Sequence, residues 1–139
     1  MEVLVIDGQG GGVGRLLVER IAEQFQDANI IACGTNSMAT ANMLKGAKIS
    51  GATGENAVVY NARRADVIVG PVGIVMANAM LGEITPRMAE AVTDSHARVI
   101  LIPMNRCQTK IVGVQEKKIS EYVDEVIGMM KNEMDKICK

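Results

Sequence analysis

The sequence predicts an α/β protein of three layers: a Rossmann-like or flavodoxin-like sheet with helices on both faces. Three observations carry this. Short β-rich apolar runs alternate with helical patterns through all 139 residues, with no linker, repeat or low-complexity tract, so residues 1–139 read as a single domain. The first apolar run meets five glycines in seven residues, Gly8 to Gly14, and a helical stripe follows directly. Apolar residues make up 48 % of the chain but aromatics only 2 %, so the core must be aliphatic, with ten methionines to fill its gaps.

Each element has its own signal. Glu2–Asp7 is a continuous apolar run ending at glycines, as a strand buried on both faces should read. Val13, Leu17, Ile21 and Phe25 recur four apart, with Leu16 beside them, and mark a helix. Asn29–Gly34 is a second buried strand. A short helix follows, with Thr35, Asn36 or Ser37 available as its cap and Gly46 near its end. The stretch "KISGATGE" reads as a loop leading to a third helix, which Thr53 can cap and which Arg63 and Arg64 close where the dipole favours cations. "DVIVG" is the third strand. Thr85–Pro86 opens another helix, because proline is tolerated at the first helical position. Arg98–Pro103 is the fourth strand. Ile111–Val114 follows too soon for a parallel crossover and is expected as an antiparallel edge strand. From Ser120 to the C-terminus one apolar face persists through Val123, Val126, Ile127 and Met130.

Strand–helix alternation with right-handed crossovers leaves two common strand orders, 2-1-3-4-5 and 3-2-1-4-5. The two helices between strands two and three give room to step back over strand one, which favours 2-1-3-4-5. The expectation is four parallel strands plus the antiparallel edge strand. Either order puts a crevice at the carboxyl ends of the strands, beside strand one.

Composition excludes several classes. A net charge of −1 offers no basic face for nucleic acid, and the scarcity of aromatics removes the stacking platforms that single strands need. Cys33, Cys107 and Cys138 are odd in number and widely spaced, which fits neither a disulfide framework nor a zinc pair and suits a reducing cytoplasm. An acidic, strand-like N-terminus does not read as a signal peptide. Gly70–Gly82, the longest weakly polar stretch, is too short to span a bilayer.

The glycine loop is the chemical feature. Gly8, Gly10, Gly11, Gly12 and Gly14 let the backbone turn sharply and bring N–H groups, including those of Gln9 and Val13, close to a ligand. The helix that follows aims its positive end at the same point, so the site favours an anion. It is not a Walker loop, since Arg15 and Leu16 stand where lysine and a hydroxyl residue are required. Gly8, Gly12 and Gly14 fit G-x-x-x-G-x-G and resemble short-chain dehydrogenases. Gly8, Gly11 and Gly14 fit G-x-x-G-x-x-G, similar to extended relatives of those enzymes. Strand two, however, ends in Gly34-Thr35-Asn36-Ser37, without the acid or arginine that reads a dinucleotide's ribose, and the chain has no Tyr-x-x-x-Lys.

Other candidates gather at the same edge. Gly70 and Pro71 end strand three. Asn105 and Arg106 follow strand four, and Arg106 could clamp a phosphate or carboxylate. Thr53, Glu55 and Asn56 lie within reach of the pocket or serve only as helix caps. Candidate catalytic groups are Asp7, Glu83 and Cys107. Asp7 would oppose a phosphate unless it binds a metal or the loop's own N–H groups. Arg106 could lower the Cys107 pKa. His96 lies at the opposite edge, so no Ser–His or Cys–His pair forms, and no cluster of acids suggests a metal site. Val72–Met80 is nearly all apolar and is expected as a buried helix or as a homodimer contact.

The blocks "VIDGQGGGVG", "GTNSMATANMLKGA", "GATGENAVVYNARRADVIVGPVGI", "LGEITPRMAEAV" and "LIPMNRC", from about residue 2 to residue 114, together resemble a family of small bacterial proteins described only as a domain of unknown function. The resemblance implies a small, single-domain, cytoplasmic bacterial protein and assigns no catalytic residue. Three readings follow. The first is a module that binds a nucleotide, a dinucleotide or another phosphorylated small molecule through Gly8–Gly14, Gly34–Ser37, Gly70, Pro71, Asn105 and Arg106. The second is an enzyme with that pocket, such as an NAD(P)-linked oxidoreductase. The third is a regulatory or structural homo-oligomer subunit with no small-molecule ligand.

Overall fold

The computed structural model describes residues 1–104 and 109–137. The chain runs β1 (Glu2–Asp7), α1 (Gly12–Gln24), β2 (Asn29–Gly34), α2 (Ser37–Leu44), β3 (Ser50–Thr53), α3 (Glu55–Ala62) and β4 (Val67–Pro71). A 3₁₀ turn at Val72–Val75, α4 (Pro86–Thr93), β5 (Arg98–Ile102) and α5 (Ile119–Ile137) complete it. The five strands form one sheet in the order β3-β2-β1-β4-β5, and every pairing is parallel.

The apolar strand runs are apolar because both faces are covered. Val3, Val5, Ala32, Val67, Val69, Ile100 and Ile102 point to one side, where Leu17, Val18 and Ile21 of α1 and Val123, Val126 and Met130 of α5 meet them. Leu4, Ile6, Cys33 and Ile68 point to the other, against Val58 and Ala62 of α3 and Met88 and Val92 of α4. Alternate residues of each strand thus serve two separate cores, as the period of two requires.

Two expectations about the sheet are corrected. Once Ser50–Thr53 is counted as a strand beside β2 the order is 3-2-1-4-5 and not 2-1-3-4-5, and no antiparallel edge strand forms among the described residues. Ile111–Val114 instead closes a turn, Val114 N donating to Ile111 O at 3.4 Å, with Gly113 at φ +90° and Val112 fully exposed. The fifth strand comes from the stretch expected as a loop. Ser50–Thr53 pairs with β2 from Ile31↔Ser50 to Gly34↔Thr53. Its side chains are small and largely exposed, so no hydrophobic pattern announces it. Main-chain pairing with an open edge makes it a strand.

Val72–Met80 is not a helix either. After one 3₁₀ turn the chain folds into a compact loop in which Asn78 N donates to Ile84 O at 2.7 Å and Ile84 N to Ala79 O at 3.1 Å. Asn78, Met80 and Leu81 have φ of 67°, 58° and 57°, a region that non-glycine residues enter only when their surroundings demand it. Ile74 is fully buried, and Val75, Ala79 and Met80 pack against the same core, so this apolar strip is spent largely within the chain. The caps are also local in part. Asn36 and Thr85 cap α2 and α4 through their side chains, whereas α3 starts at Gly54, φ +100°, and Thr53 does not cap it. No helix among the described residues is long and apolar enough to cross a membrane.

The chain leaves β1 toward β2 and β3, then crosses back through α3 to β4. The switch point therefore lies between β1 and β4, at the carboxyl end of β1. Close approach of those two strands sets one constraint: a Cβ at Gly70 would lie 2.4 Å from the Ile6 carbonyl oxygen. Gly70→Ala should therefore lower stability by about 1–3 kcal/mol, the cost of overpacking. Gly10→Ala, at a position with nothing within 4 Å of a Cβ, should stay within about 0.5 kcal/mol of the wild type. Urea midpoints at equal m-values would check both.

Candidate functional site

The site is built on the register of β1 and β2. Asp7 lies opposite Gly34, and Thr35 N donates to Asp7 O at 3.0 Å, so the segments leaving both strands start side by side. From there Gly8 to Gly11 makes a tight turn closed by Gly11 N to Gly8 O at 2.9 Å. Gly11 is the N-cap of α1 and has φ +73°; an added Cβ there would also meet the Ala39 carbonyl oxygen at 2.7 Å. Only glycine suits that position.

Asp7 is buried and grips this loop from within. One carboxylate oxygen accepts from Gly8 N at 2.8 Å and the other from Gly14 N at 2.7 Å. Gly14 is in the first turn of α1, so Asp7 caps that helix from the preceding strand, where the positive end of the helix favours a carboxylate. Of the two roles that would reconcile Asp7 with an anion site, a metal or the loop's own N–H groups, this geometry shows the second.

A second carboxylate arrives from far along the chain. Glu83 Oε1 accepts from Thr35 Oγ1 at 2.5 Å, Asn36 Nδ2 at 2.8 Å and Gln9 N at 2.9 Å. Asn36 Nδ2 also donates to Gln9 O at 3.0 Å, and Asn42 Nδ2 to Gly10 O at 2.9 Å. Gln9 itself has φ +49°, an unfavourable angle for a residue with a side chain, held by partners on its N–H and its carbonyl. The Thr35 hydroxyl first, then the Gln9 amide and the Asn36 amide, hold the Glu83 carboxyl below its ordinary range, against partial burial that pulls the other way. A carboxylate held ionised in this way is poorly matched to general acid–base work near neutrality.

The loop's glycines divide into two kinds. Gly8, Gly11 and Gly14 are demanded by the fold: a Cβ would lie 2.6 Å from the Met80 sulfur at Gly8 and 2.4 Å from the Met43 sulfur at Gly14. Gly10 and Gly12 are exposed and face open space. The donors divide similarly. Gly8, Gln9, Gly11 and Gly14 donate within the protein. The N–H groups of Gly10, Gly12 and Val13 have no hydrogen-bond acceptor among the described residues.

The structure thus brings Asp7, Gly8–Gly14, Gly34, Thr35, Asn36 and Glu83 together, with Ser37 exposed beside them at the start of α2. Gly70 and Pro71 end β4 beside the carboxyl end of β1 and are buried there. Thr53 Oγ1 pairs with Thr40 Oγ1 at 2.7 Å, and Glu55 accepts from Thr85 Oγ1 at 2.6 Å, so both are engaged in holding elements together. Asn56 is exposed on α3. Asn105, Arg106 and Cys107 lie outside the described residues. Asn42 and Met80, which clamp the loop from 32 and 72 residues beyond Gly10 and Gly8, carry no signal in the sequence. No group of three or more metal-ligating side chains occurs among the described residues. Cys33, on β2, is buried away from solvent, and that burial pushes its thiol up to about 11, so it is inert.

Two clefts lie elsewhere. One of about 490 Å³ opens at the amino ends of β1 and β2, near Asn29, Asn61 and Arg64. The other, about 500 Å³, runs beside β5 under Met129 and Glu133 of α5. Neither includes the glycine loop. Open donors distinguish the loop, and volume distinguishes the clefts. A small anion selects donors.

Two outcomes follow from the carboxylates. Asp7→Ala leaves two N–H groups without their charged acceptor and should cost about 3 kcal/mol, read by urea denaturation. Glu83 binds protons less readily folded than unfolded, so its contribution is present above the ordinary glutamate pKa of about 4.3 and is lost as pH falls through its lower folded value. Stability of Glu83→Gln should accordingly fall less steeply than that of the wild type below about pH 4.3. Parallel stability curves in acid would contradict the assignment.

Comparison with known proteins identifies a family. No curated protein matches the chain. Among solved structures it is similar to a dodecameric FMN-dependent Ubix-like decarboxylase from Escherichia coli O157:H7 at 15 % identity and a TM-score of 0.46, covering 94 % of this chain and 76 % of that one. Residues 2–135 match the domain of unknown function DUF3842, and the chain belongs to that family.

Proposed function

We propose that the protein binds a phosphorylated small molecule, a nucleotide in the first instance, with its phosphate on the main-chain amides at the start of α1. One observation carries this reading: the N–H groups of Gly10, Gly12 and Val13 lack an acceptor among the described residues, where glycine without packing need leaves the approach open. Gly12 and Val13 are the first two residues of α1, so their donors add to the positive end of its dipole. The location supports the same reading, since open parallel sheets bind ligands outside the carboxyl ends of their strands at the switch point.

A second reading, a homo-oligomeric or regulatory subunit with no small-molecule ligand, is favoured by a different observation. Asp7 and Glu83 already place negative charge on this loop, and they satisfy Gly8, Gln9 and Gly14. Asp7 faces the inner side of the turn and Glu83 sits on Gln9, so neither occupies the three open donors. The binding reading therefore stands first. The oxidoreductase form of it lacks a group for hydride chemistry, as neither a Tyr-x-x-x-Lys nor a histidine at the site is available.

Gly12→Val separates the readings. Its side chain enters open space, so the fold should persist, but it covers the amides that would meet the phosphate. Titration of the wild type with inorganic phosphate and adenosine 5′-monophosphate should raise its melting temperature in a saturable way, and Gly12→Val should lose that shift with its own melting temperature little changed. No shift in the wild type would favour the ligand-free subunit, and an equal shift in the variant would overturn the placement of the phosphate on the Gly12 amides.

A further inference from the structure

The ribose-reading acid missing from the end of β2 is supplied in space by another segment. Glu83 stands 74 residues beyond Gln9 in sequence, yet its Oε1 rests on Thr35 and Asn36, the two residues that follow β2, and on the Gln9 amide of the glycine loop. Three donors converge on that one oxygen. Oε2 takes no hydrogen bond among the described residues and is not among the fully buried polar atoms of this partly buried side chain, so this oxygen stays available at the surface.

The surroundings of Glu83 carry a second, separate feature. Large exposed apolar side chains are few among the described residues, and two of them lie close in sequence to this cluster: Leu81, 97 % exposed and two residues before Glu83, and Met38, 70 % exposed and two residues after Asn36. In the loop that delivers Glu83 both Met80 and Leu81 have left-handed backbone, φ 58° and 57°; Met80 packs inward against the core, and Leu81 is left exposed. The chain accepts strain in the loop that brings both an apolar side chain and a fixed carboxylate. An apolar ring face and a pair of sugar hydroxyls are the two chemical surfaces of a nucleoside.

We infer that Glu83 is a specificity-determining residue for nucleotides with free vicinal ribose hydroxyls, which donate to its Oε2 while Leu81 and Met38 meet the base. The inference rests on the phosphate-binding reading of the glycine loop and adds the other end of the ligand to it. The roles of the two Glu83 oxygens differ: Oε1 is spent on fixing the carboxylate, and Oε2 reads the ligand. Charge then dictates a rejection as well. A 2′-phosphate would bring like charge against the carboxylate, so 2′-phosphorylated nucleotides are excluded.

The test compares ligands on the wild-type protein before any variant is needed. Calorimetric titration with adenosine 5′-monophosphate, its 2′,3′-dideoxy analogue, adenosine 2′,5′-bisphosphate and inorganic phosphate should rank the first at least tenfold above the other three. Glu83→Gln should lose that preference over the dideoxy analogue and bind the 2′,5′-bisphosphate more tightly than the wild type does, a reversal that a purely structural glutamate would not produce. Equal affinity of the wild type for the monophosphate and its dideoxy analogue overturns the inference while leaving the phosphate site standing, provided inorganic phosphate still binds. Binding of none of the four overturns both. If Glu83→Gln does not fold, the wild-type ranking alone decides.

Discussion

A single carboxylate holds the loop that everything else is arranged around. Asp7 ends β1 and turns back on the chain it has just launched, accepting from Gly8 N and Gly14 N at the two ends of the glycine run. Burying a carboxylate is expensive, and the N–H bonds and the amino end of α1 that meet it offset that cost. With Asp7 in place, the turn between strand and helix has one shape. Gly12 and Val13 then project from the first turn of α1 while the next amide, Gly14, is taken.

That arrangement reconciles two facts that look opposed. A loop proposed to hold an anion already carries two carboxylates. Asp7 works from the inner side and satisfies donors that an incoming ligand could not use. Glu83 works at Gln9, displaced along the loop toward the end of β2. Negative charge so placed restricts how an anionic ligand can lie, since its charged group is favoured at Gly10–Val13 and disfavoured near Glu83. The protein's own acids thus set orientation, and the main-chain amides set location.

Strain is distributed consistently with this division. Gln9, Asn78, Met80 and Leu81 are the described non-glycine residues with left-handed backbone, and all belong to the glycine loop or to the loop that carries Glu83 onto it. The two loops support each other: Gln9 is held by Glu83 and Asn36, and Met80 lies against Gly8. Each loop also closes on itself, through Gly11 N to Gly8 O and Asn78 N to Ile84 O, but Gln9 is held in its conformation by residues of other segments.

The sequence by itself determined the parts that depend on neighbours along the chain. Continuous apolar runs placed β1, β2, β4 and β5, because both faces of a parallel sheet are buried, and a 3.6-residue period placed the long helix α5. The start of α2, with Asn36 one of three candidate caps, the start of α4 at Thr85–Pro86 and the glycine turn were legible for the same reason, since turn and cap chemistry act within four residues. Tertiary structure alone decided the rest. β3 is a strand because β2 leaves an edge for it, the strip at Val72–Met80 is a folded loop because Ile74 and Ile84 share a core, and the order of strands depends on which edge that extra strand joins. Glu83 reaches Gln9, Thr35 and Asn36 only because the chain crosses the sheet and returns, and a hydrogen bond across so long a separation leaves no periodicity to read.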